Sequence, residues 1–237
     1  MMYFPRNWVK RMSVCIMISM LSAGCGQPQR ESGSVTNMPD SFHFMDIGAN
    51  TVIDSSMRNQ LIKTLGSEAV NRKSTIYLDL KYTGFLKKTY PDLAELDQKL
   101  NINDMVRKEY PATKLTFRHT KETGSLFDFV ELIYDNNSGC PLLIKMAVKK
   151  EIPNLINTIK EKYGPPQKIP IEDGRGFSLS WRKESDVFVI ARFPGLYKTE
   201  LPEYRMMIVY RNRLEHLLSQ QAAAEKQPKD QSADHFF

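Results

Sequence analysis

Between residues 46 and 219, apolar positions recur with two different periods, and each period predicts a kind of element. Met57, Leu61, Ile62 and Leu65 fall on one helical face. Ile53-Asp54-Ser55-Ser56 supplies good caps in front of them and Gly66 the stop behind. From Ser74 to Leu80 the period drops to two, with Ile76, Leu78 and Leu80 alternating with Tyr77 and Asp79, which predicts a strand. Pro91 suits the first position of a second helix, carrying Leu93, Leu96 and Leu100. Lys114–Thr120 alternates again, with Leu115, Phe117 and His119 on one side. Leu126–Tyr134 is apolar on both faces, which suits a central strand.

After the turn Asp135–Gly139, the residues Leu142, Ile144, Met146 and Val148 make one apolar face of the next strand. Asn154–Tyr163 reads as a helix with Leu155, Ile156, Ile159 and Tyr163 inward, ended by Gly164-Pro165-Pro166. Phe177, Leu179 and Trp181 alternate with polar residues, and a turn at Lys183–Asp186 leads into Val187–Phe193. Tyr204, Met206, Ile208 and Tyr210 form a last strand before a closing helix with Leu214, Leu217 and Leu218. From residue 126 the order is ββαβββα. Turns of hairpin length predict antiparallel pairing, hence an α+β domain over 46–219: a mainly antiparallel sheet with helices packed on one face. Trp181 and most strand aromatics are expected in the core, and no convincing internal repeat is visible.

The N-terminus has a different pattern. Arg6, Lys10 and Arg11 precede a short uncharged apolar run, Met12–Leu21, and then Ser22-Ala23-Gly24-Cys25. A charged start, a short apolar stretch and small residues make a signal peptide over 1–24. The run is shorter than the roughly 20 apolar residues a membrane-spanning helix needs. Ser22-Ala23-Gly24-Cys25 resembles the lipobox of bacterial lipoproteins, with Ser22 where that family prefers leucine. The resemblance implies cleavage between Gly24 and Cys25 and acylation of Cys25. It also implies a lipid-anchored envelope protein. Gly26 rather than Asp after the cysteine resembles the pattern of outer-membrane sorting, facing the periplasm.

Residues 25–45 are polar and rich in Gly, Pro and Ser, the composition of a lipidated flexible tether. Residues 220–237 read as a disordered tail. The stretch Tyr163-Gly164-Pro165-Pro166 followed by a hairpin with Trp181 faintly resembles small lipoproteins that assist outer-membrane assembly.

Processing changes the charge. The chain has 33 Lys+Arg and 27 Asp+Glu; losing Arg6, Lys10 and Arg11 leaves 30 against 27, or +3. Interspersed charge of that size does not point to nucleic acid, and is compatible with contact to anionic headgroups. On that reading Cys15 leaves with the signal and Cys25 would be acylated, so Cys140 stands alone, a small side chain beside a turn. A Cys140–His119 couple is the only nucleophile–base pairing that cysteine allows. His43, His216 and His235 form no ligand spacing with it, and no metal or phosphate motif occurs, so no cofactor is expected.

The pattern holds no catalytic constellation. It favours a non-catalytic envelope lipoprotein that binds a protein or supports the envelope. Leu196 and Tyr197 are its expected partner contacts, in the loop after Pro194-Gly195. The alternative is a periplasmic binder of a lipid, peptide or glycan, which needs an apolar pocket of several hundred cubic ångströms.

Overall fold

In a computed structural model the described residues are 41–82, 84–101, 108–118, 124–195 and 201–226. Among these residues eight strands form one sheet: β1 (Glu68–Asn71), β2 (Ala112–Phe117), β3 (Phe129–Asp135), β4 (Pro141–Val148), β5 (Gln167–Ile171), β6 (Gly176–Lys183), β7 (Asp186–Phe193) and β8 (Glu203–Val209). The spatial order is β1-β2-β3-β4-β8-β7-β6-β5, and every pair is antiparallel. Among the described residues five α-helices accompany it: α1 (Ser55–Leu65), α2 (Phe85–Thr89), α3 (Pro91–Leu100), α4 (Pro153–Tyr163) and α5 (Arg211–Lys226). The α+β class and the sheet's antiparallel character are as the periodicity predicts.

Local signals act as expected at the long helices. The Asp54 carboxylate accepts the Met57 N–H at 2.8 Å and caps α1. Pro91 and Pro153 sit in the first turns of α3 and α4. Gly66 and Gly164 end α1 and α4 with φ of 91° and 83°, values that favour glycine.

Short or proline-bearing elements escape the pattern. β5 contains Pro170 and follows Pro165-Pro166, so it reads as loop. It is tolerated because it lies at the sheet's edge, where a missing N–H is harmless. The order from β3 onward is therefore ββαββββα. β1 and α2 also lack a readable period at four and five residues.

Ser74–Leu80 is the reverse case. Its alternation is real, since Ile76, Leu78 and Leu80 are all buried, yet no named strand forms there. Side chains replace the ladder: the Leu78 N–H donates to the Asp97 carboxylate at 2.7 Å, and Asn101 Nδ2 donates to the Ile76 carbonyl at 2.9 Å.

The helices cover both faces of the sheet, not one. α1, α4 and residues 42–53 pack on the first face, against Leu132, Ile144, Trp181, Phe188 and Met206. Segment 76–80 with α2, α3 and α5 packs on the second, against Ile133, Leu143, Val189 and Val209. Central strands β4 and β7 are apolar on both sides, so a single helical layer would leave one side wet. A register shift between Ile133 and Tyr134 lies opposite the start of β4. Leu142, grouped by period with Ile144, belongs to the second core.

The topology reveals an internal duplication that the sequence conceals. α1-β1-β2-β3-β4 and α4-β5-β6-β7-β8 each run from an 11-residue helix through a glycine stop into four strands. Read from either edge the sheet gives the same order, and the halves join where β4 meets β8. α1 and α4 share the first face. The first half carries α2 and α3 between β1 and β2, where the second has only a 3₁₀ turn at Glu172–Gly174.

Both ends of the domain lie outside the expected limits. Phe42 and Phe44 belong to the first core although 25–45 reads as tether. The Tyr210 hydroxyl donates to the Phe42 carbonyl at 2.9 Å, and Ser41 donates to Asp186, whose other oxygen accepts the Arg211 N–H at 2.9 Å. Burial raises the Asp186 pKa, and these bonds oppose the rise. At the far end α5 continues to Lys226, six residues past the expected start of the tail at 220.

Candidate functional site

The second face of the sheet is apolar only where helices cover it. Toward the other ends of β2, β3, β4 and β8 the inward positions become charged. Lys145 on β4 lies directly across from Glu131 on β3. Lys114 on β2 reaches the Glu131 carboxylate at 3.8 Å. On β8, Arg205 pairs with Glu203 at 2.6 Å, and Lys81 stands 3.8 Å from the same Glu203 while its ammonium sits 4.4 Å from the Phe193 ring centre. Apart from the exposed Lys81, these residues are half-buried, so the network is neither a solvated rim nor a sealed core.

Lys145 is its centre. Its Nζ donates to the Asp79 carbonyl at 2.9 Å. Burial pulls its pKa below the ordinary lysine value; Glu131, Asp97 and Asp79 oppose that shift, and Lys114 adds to it. Arg205 Nε is buried with no hydrogen-bond partner among the described residues. An unmet donor beside semi-buried charges of both signs suits recognition of a polar, hydrogen-bonding partner.

A pH dependence follows from the sign of the Lys145 shift. With the folded pKa below 10.5, the unfolded chain binds more protons in the window between the two values, so stability from this group rises with pH across it. Urea midpoints followed as pH rises toward 10.5 should therefore rise in the parent relative to Lys145→Met. A constant difference across that range would contradict the assignment.

Sequence reasoning passed over this cluster, although a signal was present. Glu131 and Lys145 are each a single charge inside an otherwise apolar run, on strands that prove to be neighbours, and Arg205 follows Glu203 at the start of a third strand. Only the sheet order shows that Glu131 and Lys145 face one another.

The expected site residues fare differently. Leu196, Tyr197, Gly24, Cys25 and His119 lie outside the described residues. Cys140 is fully buried and its Sγ contacts the Ser138 carbonyl at 3.7 Å, so the thiol is a packed side chain. Trp181 is core: it stacks on Phe188 with ring centres 5.5 Å apart, and its indole N–H donates to the Gly164 carbonyl at 2.8 Å. It thereby ties the end of α4 to the sheet.

One recess of about 500 Å³ opens beside Ser41, lined also by His43, Met45, Asp46, Lys162, Tyr163 and Lys183. Its lining is mostly polar, unlike the apolar pocket a lipid or peptide binder requires. Among the described residues no group of three His, Cys, Asp or Glu is placed to hold a metal ion, and no helix is long and apolar enough to cross a membrane. No protein-family model, curated protein or solved structure matches this chain.

Proposed function

We propose that this protein is a lipid-anchored, non-catalytic lipoprotein of the bacterial envelope, held by acylated Cys25 in the outer membrane and facing the periplasm, whose body binds another protein. The observation that carries this reading is the lipobox-like Ser22-Ala23-Gly24-Cys25, sixteen positions before Ser41. The body's attachment point supports it. Ser41, Phe42 and Phe44 are bonded or packed into the first core, so tension on the N-terminus would be borne by a locked segment. The mixed-charge face around Lys145 supports protein binding, because alternating charges in fixed geometry select a partner by complementarity.

Cys25→Ala tests the anchor. Each buried methylene contributes about 0.8 kcal/mol to membrane affinity, and two chains suffice for durable attachment. The parent should partition into the detergent phase almost completely and the variant hardly at all. A mature parent whose mass shows no acyl chains would overturn the reading. Crosslinking from membranes should then capture a protein partner, and Lys145→Glu should reduce that capture severalfold.

A further inference from the structure

The recess beside Ser41 lies where the N-terminal segment joins the body, and its chemistry is directional. His43, Lys162 and Lys183 face it against one acid, Asp46; the neighbouring Glu161 and Glu184 do not line it. Lys162 and Lys183 are exposed, from the last turn of α4 and the end of β6. Tyr163 forms the floor, accepting the His43 N–H at 3.1 Å, with the Lys162 ammonium 5.1 Å from its ring centre.

The rim carries an exposed apolar residue. Phe44 and Ile47 form an isolated bridge, N–H to carbonyl in both directions at 2.9 and 3.0 Å, with Met45 and Asp46 at the tip. Met45 is 41% exposed and held at φ 52°, in the left-handed region that residues other than glycine rarely adopt. It also lines a smaller adjacent recess with Met57 and Leu61. The fold thus presents one flexible apolar side chain on the same recess as two lysines, at the root of the segment that leads to Cys25.

We infer that this face docks on an anionic membrane surface, with Met45 entering the headgroup region and Lys162 and Lys183 on lipid phosphates. The inference rests on the lipid-anchor reading above. A lysine near such a surface strengthens partition by roughly fivefold, so two lysines alone would bind weakly. The anchor removes that limit. A short polar linker sets an effective concentration in the millimolar range, and a site of millimolar affinity is then occupied. Docking on this face would turn the opposite sheet face, with the Lys145 network, away from the bilayer and toward a partner.

The test uses the full protein on vesicles. It is mixed with phosphatidylcholine vesicles, or with the same vesicles containing phosphatidylglycerol, and amide hydrogen exchange is followed over 41–48 and 160–164. Flotation with the neutral vesicles reads the anchor by itself. On the anionic vesicles, exchange in both segments should slow at least fivefold, recover in 0.5 M salt, and recover in Lys162→Glu/Lys183→Glu. The control Lys87→Glu/Lys88→Glu, on α2 across the sheet, should keep the protection. Equal exchange on the two vesicle types, or protection that survives Lys162→Glu/Lys183→Glu, would overturn docking even where flotation upholds the anchor. Without flotation on neutral vesicles, the same exchange comparison at high anionic lipid still decides docking.

Discussion

Replacing Trp181 with alanine should destabilise the domain by about 3–5 kcal/mol, the range for deleting a large buried aromatic. Trp181 is 4% exposed and contacts two elements at once. Its ring stacks on Phe188 of β7, and its N–H holds the Gly164 carbonyl at the end of α4. The substitution leaves a cavity in the first core and strands a helix-terminal acceptor. For a domain of this size each kcal/mol lowers the melting temperature by roughly 2–4 °C, so a fall of about 10 °C is expected. Trp181→Phe separates the two contributions. It keeps most of the ring contact and loses only the hydrogen bond, which should cost about 1–2 kcal/mol. Urea titration checks both, with an unchanged slope showing that stability alone moved. A parent-like midpoint for Trp181→Ala would remove Trp181 from the core.

Phe42→Ala should cost about 3 kcal/mol or more, although the residue stands at the start of the described body. The Phe42 ring is 1% exposed and lies edge-on to Tyr163 at 5.1 Å and tilted against Phe188 at 5.8 Å. Its carbonyl accepts the Tyr210 hydroxyl, so the segment is held by backbone as well as side chain. Were residues 41–45 part of the tether, as composition suggests, the same substitution would fall within about 0.5 kcal/mol of the parent. Limited proteolysis supplies a second readout: the variant should be cut within residues 41–53 at protease levels that leave the parent intact. Resistance of that segment in Phe42→Ala, with an unchanged midpoint, would return it to the tether.

Phe42 shows why the boundary was hard to place. Ser41-Phe42-His43-Phe44 follows a Gly-, Pro- and Ser-rich stretch and has too few residues for a period. Phe42 becomes core only because α4 and β7 leave a slot between them, and Phe44 because it meets Phe127 edge-on. Ser74–Leu80 carries the opposite lesson. Its alternation marks which side chains are buried, but backbone pairing depends on what lies alongside, and there Asp97 and Asn101 take the place of a strand.

The charged network is a third case. A single charge in an apolar strand can face solvent, a partner strand or a ligand, and strand order decides among these. Glu131 and Lys145 are fourteen positions apart in sequence and directly opposed in the sheet. Arg205 and Glu203 lie on the next strand only because β8 inserts beside β4, where Arg205 stands across from Ala147, nearly sixty residues away in the chain.

The amino-acid sequence by itself determined the local elements with strong periods and caps: α1, α3, α4, most of the sheet and the antiparallel α+β class. It also holds the motif behind the lipid-anchor proposal, since a signal segment is read as linear chemistry. Only the tertiary structure decided the rest. It placed helices on both faces, since burial of β4 and β7 from two sides needs two layers. It paired β4 with β8 and so exposed the duplication, because strand order is a long-range choice that no local period encodes. It set Lys145 against Glu131 with Arg205 on the next strand, and set Met45, Lys162 and Lys183 around the recess at Ser41, because residues distant in the chain become neighbours only when the sheet closes.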